Sequence, residues 1–292
     1  MSLILNEVGY AAPASLAEAV GLLEAHPGAQ LLAGGHDLVP AMKAGTRQPG
    51  LVVDLRRVGG LQGIGHDAKA GTLTIGAMVT LDQLLADPVT DVLPALRQAA
   101  ASVGDAQVRN ASTVGGSLAS RNPAADLAAP ALALDAVVVA SGPAGERRIA
   151  AADFLTPAAS PLGAGEIVTA LVFPVVAGSG SAYVKQAIPA TCYPLSAVAA
   201  AVTLKAGKVG DCRVAVTGVF ARPRRLAAVE SAVTGVAPSR GVLAKAATAA
   251  GAAGDAAITD LAGSGEYRLH LLAVQAERVL VEALKDAGVH LE

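Results

Sequence analysis

The chain has 292 residues, and its 24 acidic and 22 basic side chains leave a formal charge of −2, a balance that does not suggest a nucleic-acid binder. Hydrophobic residues make up 53% and charged residues 16%, so the chain can bury enough apolar surface to offset its ordering entropy, and its length suits about two domains. Glycine and proline (32 and 16 residues) stay below the low-complexity range, and with 3 Phe, 4 Tyr and no Trp the core must be built from Ala, Val and Leu.

The opening MSLILNEVGYAAPAS lacks a basic n-region and carries Asn6 and Glu7 where a signal peptide is apolar, which predicts a cytoplasmic protein. Ser15 followed by Glu18 forms a capping-box pattern and predicts a helix from about 16 to 25. The apolar run AQLLA then ends in Gly34-Gly35, a helical turn follows near Val39 to Ala44, and LVVDL closes a small parallel βαβ unit over residues 1 to about 56. From Gly59 the pattern gives a hairpin around Ala70-Gly71, a helix from Leu81 and another over Val92 to Ala101. After Gly115-Gly116, LALDAVVVASG reads as one β run, then a turn, then EIVTALVFP as a strand closed by Pro174. GSGS at 178–181 is the best linker candidate, which places a domain boundary near 176. Beyond it come the strand AYVKQA, a hairpin turning at Ala206-Gly207, and helices at 241–253 and 266–287, the pattern of a small α+β domain. The most apolar stretch, Leu127 to Ala140, is broken by Pro130 and Asp135 and is too short to span a bilayer.

Two segments invite a chemical reading. In LLAGGHDL, comprising Leu31, Leu32, Ala33, Gly34, Gly35, His36, Asp37 and Leu38, consecutive glycines after a buried strand let backbone N–H groups converge into a phosphate-binding nest; a tight turn explains the same pattern equally well. In Ala101 to Asp126, the residues Thr113, Gly115, Gly116, Ser117 and Ser120 fall in one polar, glycine-rich loop suited to a pyrophosphate, with Arg109 read as bracing that loop. Asp126 suits either a ribose or a turn cap. Neither the P-loop pattern nor G-x-G-x-x-G occurs. The two cysteines, Cys192 and Cys212, cannot complete a four-cysteine zinc or iron–sulfur site, so redox chemistry needs an organic cofactor or a partner chain.

In chain order, AGGHDLVPAMK at 33–43, QVRNASTVGGSL at 107–118, PAAD at 123–126, EIVTALVFP at 166–174 and EYRLHLLAVQAERVL at 266–280 resemble the FAD-binding medium subunit of molybdenum hydroxylases. The likeness is to the carbon monoxide dehydrogenase medium-subunit and xanthine dehydrogenase FAD-domain type. It implies a mixed α/β (α+β) chain: a two-lobed FAD-binding domain of the vanillyl-alcohol-oxidase-like fold over 1–175, with lobes at about 1–56 and 57–175, then a small α+β domain over 176–292. It also implies non-covalent FAD, its pyrophosphate held by Leu31 to Leu38 and Thr113 to Ser117. By the same resemblance Asp126 is an adenosine-side residue, Lys185 lies near the flavin ring, and Thr80 and Val168 are further flavin contacts. Ser117 stands where that family has Asn, and the basic residue common after the lysine is absent from QAIPATCYP.

The function so implied is an electron-transfer subunit. Molybdopterin would sit in a large partner subunit and two [2Fe–2S] clusters in a small one, with this chain's flavin passing electrons to an external acceptor. The alternatives are a stand-alone FAD-dependent oxidoreductase and a flavin-binding protein with only an assembly role. No residue of this chain is expected to perform acid–base chemistry on a substrate, and no metal ligand set is expected in it.

Overall fold

The computed structural model describes residues 7–251 and 257–291. Its first part is a three-stranded parallel sheet made of β1 (Gly9–Ala11), β2 (Gln30–Leu32) and β3 (Leu51–Asp54), in the order β1-β3-β2. Helix α1 (Leu16–Ala25) joins β1 to β2, and α2 (Leu38–Lys43) lies between β2 and β3. The predicted capping box is nearly as read: Ser15 Oγ accepts from Glu18 N–H, while Glu18 reaches the N–H of Ala14 rather than that of Ser15. The three-residue β1 has no pattern of its own; its parallel pairing with β3 makes it a strand.

The second part is a five-stranded antiparallel sheet of order β4-β5-β8-β6-β7, from β4 (Ile64–Asp67), β5 (Thr72–Gly76), β6 (Val137–Gly142), β7 (Gly145–Ala150) and β8 (Ile167–Pro174). Between β5 and β6 run α3 (Leu81–Ala86), α4 (Pro94–Ala101), α5 (Ala106–Ala111), α6 (Val114–Ala119) and α7 (Ala128–Ala133); α8 (Ala151–Leu155) follows β7. The sheet's inner face, with Leu73, Ile75, Val138, Leu171 and Phe173, closes on Leu96, Leu118 and Leu132 of the helices as one apolar core.

The third part pairs β12 (Arg224–Arg225), β11 (Lys208–Thr217), β10 (Pro194–Lys205) and β9 (Gly180–Ala187) in that order, all antiparallel. Its helices are α9 (Ala227–Val233), α10 (Arg240–Gly251) and α11 (Gly265–Asp286); Leu272, Val279 and Leu280 of α11 pack with Val198, Val202 and Val214 of the sheet. The hairpin turns where expected, with Ala206 and Gly207 both at positive φ. The predicted end of α10 at 252–253 lies outside the described residues.

Three expectations are corrected. The run LALDAVVVASG is not one strand: Leu132 and Ala133 end α7, Asp135 takes φ +50°, and extended backbone begins at Val137. The turn after it is the strand β7. The stretch around Thr113 to Ser120 is not an open loop, because α6 occupies most of it. Helix α6 forms despite two glycines because its first N–H groups find acceptors elsewhere: Val114 donates to Val79, Gly115 to Ala77, and Gly116 to Thr113 Oγ1. GSGS is a tight seam rather than a linker. A Cβ on Gly180 would stand 2.2 Å from the Ala283 carbonyl oxygen, Ser181 Oγ accepts from Ala95 N–H, and Ser181 N–H donates to Asp286.

Candidate functional site

The loop between β2 and α2 begins where β2 ends beside Asp54 of β3. Gly34 presses against a neighbouring segment, since a Cβ there would lie 2.3 Å from the Ala111 carbonyl oxygen, and Gly35 takes φ +78°. Among the described residues none accepts a hydrogen bond from the backbone N–H of Gly34, Gly35, His36, Asp37 or Leu38. Five successive backbone donors without a protein acceptor in a glycine turn leave partial positive charge uncompensated, which backbone amides can offer to an anion. The exposed His36 contributes its N–H by position.

Thr113 to Ser117 faces this loop: a Cβ on Gly116 would come within 3.4 Å of Ala33 Cβ. Its amides from Val114 to Ser117, unlike those of the first loop, are already used. Gly115 is glycine for a packing reason, since a Cβ there would fall 2.4 Å from Ala77 Cβ and 2.8 Å from the Ala77 carbonyl oxygen. Thr113 is buried as the N-cap of α6, and Ser120 Oγ donates back to the Ser117 carbonyl. Thr80 bridges to Thr113 and caps α3 in a complete capping box with Gln83. Arg109 donates to the Val103 carbonyl at 3.2 Å, ahead of α5 rather than within Thr113 to Ser120.

Asp126 and Lys185 form a buried ion pair of 2.8 Å, with side chains 5% and 6% exposed. Tyr183 OH donates to Asp126 Oδ1 at 2.6 Å, Ser102 Oγ lies 3.3 Å from the same oxygen, and Lys185 Nζ donates to the Ser102 carbonyl at 2.9 Å. Burial pushes the Asp126 carboxyl above its ordinary range, opposed by the Lys185 charge and by the hydrogen bonds it accepts. Burial, then the Asp126 charge, raises the Tyr183 phenol well above its usual value. Asp126, read as an adenosine-side residue, and Lys185, read as lying near the flavin ring, thus stand 2.8 Å apart at one place. Lys185 presents a neutralised couple rather than a lone cation. Val168 lies buried in β8.

Sequence reasoning missed three contributors. Asn122 donates to Asp37 Oδ1 at 3.0 Å and ties the first loop to the chain leading to Asp126. Tyr183 completes the buried network. Tyr193, 38% exposed, has its phenol raised by burial and by the charges of Asp37 and Asp126. A lone aromatic in QAIPATCYP, in a chain so poor in aromatics, was the available signal for Tyr193. Among the described residues no cluster of three or more His, Cys, Asp or Glu is placed to hold a metal, and no helix is long and apolar enough to cross a membrane.

Residues 6–176 match the model of the FAD binding domain in molybdopterin dehydrogenase, and residues 181–283 that of the CO dehydrogenase flavoprotein C-terminal domain. The chain therefore belongs to the family of FAD-binding medium subunits of molybdopterin dehydrogenases, an oxidoreductase family. It is 34% identical to the carbon monoxide dehydrogenase medium chain of Afipia carboxidovorans, over 96% of this chain and 98% of that one. It is 33% identical to the nicotine 6-hydroxylase medium subunit of Paenarthrobacter nicotinovorans, with the same coverage. A solved carbon monoxide dehydrogenase from Hydrogenophaga pseudoflava superposes with a TM-score of 0.92 at 33% identity, over 97% of this chain and 99% of that chain.

Proposed function

We propose that this chain holds FAD non-covalently between its first two parts and relays electrons from the iron–sulfur clusters of a small partner subunit, reduced by a large molybdopterin subunit, to an external acceptor. The five N–H groups of Gly34 to Leu38, without a protein acceptor, carry the reading: they are free to bind an anion, and the FAD pyrophosphate is one. The loop from Leu31 to Leu38 holds the pyrophosphate, with Thr113, Gly116 and Ser117 closing the opposite wall and Thr80, Ser120 and Val168 lining the remainder. Bound there, the flavin supplies a carrier that can be reduced and reoxidised. The protein supplies placement. Asn122 fixes Asp37, Gly34 sets the spacing of the two walls, and the Asp126–Lys185 couple fixes the charge beside the cofactor. No residue here carries substrate acid–base chemistry.

The test is to purify the chain with FAD and precipitate it with acid. All flavin should appear in the supernatant, and isolation from native cells should bring iron–sulfur and molybdopterin subunits along. Yellow colour retained in the pellet would contradict non-covalent binding, and a chain that quenches no flavin fluorescence would end the reading.

A further inference from the structure

Five arginines of low exposure, Arg97, Arg109, Arg213, Arg225 and Arg268, each have an Asp or Glu within 4 Å. Arg121 and Arg222 do not. Both are half-buried, and among the described residues neither has a carboxylate within that distance. Their partners are neutral carbonyls: Arg121 Nη2 donates to Pro157, while Arg222 donates to Ala158 at 2.9 Å and, from its other terminal nitrogen, to Arg121 at 3.5 Å. Most of the N–H groups of the two guanidiniums are left over, and Arg121 Nε is buried with no acceptor. The like charges also feel each other: burial, then the charge of Arg222, lowers the Arg121 pKa from its ordinary value. Arg121 holds a left-handed φ of +51° in this arrangement.

Two adjacent cations without a counter-ion, half out of water, are costly unless an anion completes them. We propose that Arg121 and Arg222 form a binding site for a phosphate-class anion at the seam between the flavin-binding part and the C-terminal part. Two planar guanidinium forks match the tetrahedral oxygens of a phosphate, and a dianion neutralises both charges where a single carboxylate leaves one over. The location favours a ligand of the working site. Arg121 lies between Ser120, at the end of α6, and Asn122, which is bonded to Asp37 of the glycine loop. Arg222 comes from the chain joining β11 to β12, so the site exists only when the two parts are docked. The phosphate belongs either to the bound dinucleotide or to a separate phosphorylated ligand, such as an electron acceptor.

The experiment uses the full chain, with and without FAD. Inorganic phosphate is titrated by calorimetry at constant ionic strength, alongside Arg222→Gln and Arg222→Lys. The wild type should bind phosphate, Arg222→Gln should bind it at least about tenfold more weakly, and Arg222→Lys should fall between the two, keeping the charge but losing the fork. Phosphate binding that survives FAD loading assigns the site to a separate ligand. Phosphate binding lost on FAD loading, with FAD itself weakened in Arg222→Gln, assigns it to the dinucleotide. Equal phosphate affinity in wild type and Arg222→Gln overturns the proposal. Thermal unfolding of the wild type needs no variant: equal Tm in phosphate and in chloride at matched ionic strength also overturns it. A chain that binds phosphate and not FAD fails the flavin reading while leaving this site intact.

Discussion

The two glycine-rich segments look interchangeable as sequence, yet they do different work. Around Gly34-Gly35 the backbone leaves five donors open; around Gly115-Gly116 every early amide of α6 has an acceptor within the protein. A glycine pair therefore carries two meanings, free donors for a ligand or room for a close approach of backbone, and only the surrounding acceptors tell them apart.

The largest effect that separates the two should come from Gly115→Ala. Its Cβ meets Ala77 at 2.4 Å with backbone directly behind, so chemical denaturation should register a loss of about 3 kcal/mol. The folded fraction should still bind FAD within about threefold of wild type, because no free donor is lost. Gly34→Ala should weaken FAD by at least about tenfold, near 1.4 kcal/mol, by forcing the loop away from Ala111. Equal flavin losses in the two variants would break the comparison.

Acid should sharpen it, because Asp54 pairs in register with Leu32, the last strand residue before the first loop. Burial pushes the Asp54 carboxyl up, but bonds from Arg56 and Tyr10 outweigh burial and hold it at about 2, below its ordinary 3.8. A depressed folded-state pKa stabilises fully above about pH 4 and is lost as pH falls through about 2. Asp54→Asn should then be about 2 kcal/mol less stable than wild type at neutral pH, with the two curves converging near pH 2. Parallel curves across that range would remove Asp54 as an anchor of the first loop.

The smallest effect should be His36→Ala. The side chain is exposed and only its N–H faces the nest, so stability should stay within about 0.5 kcal/mol and flavin affinity within about twofold. A large loss of flavin would assign the imidazole a role that the backbone reading does not give it.

What was legible in the sequence was local. The Ser15 to Glu18 cap, the hairpin at Ala206-Gly207 and the strand EIVTALVFP each carry their own turn or periodicity signal, and each stands where it was read. The illegible parts owe their form to distant partners. Strand β1 exists because β3 is there to pair with it, and α6 because Val79 and Ala77 accept its N–H groups. The same holds at the site. LLAGGHDL pointed to a nest, but nothing local tells that Asp126 meets Lys185 and Tyr183 across 59 and 57 positions, or that Asn122 reaches Asp37.

That buried ion pair has a consequence for modularity. The chain matches two family segments, 6–176 and 181–283, which invites treating them as exchangeable units. Asp126 lies in the first and Lys185 in the second, both almost fully buried. Exchanging the second segment for one without the lysine strands a carboxylate in the interior, at a cost of about 3–5 kcal/mol, a large share of what holds a domain together. The halves are thus bound to change in step, and a chimera succeeds only when both ends of that one contact travel together.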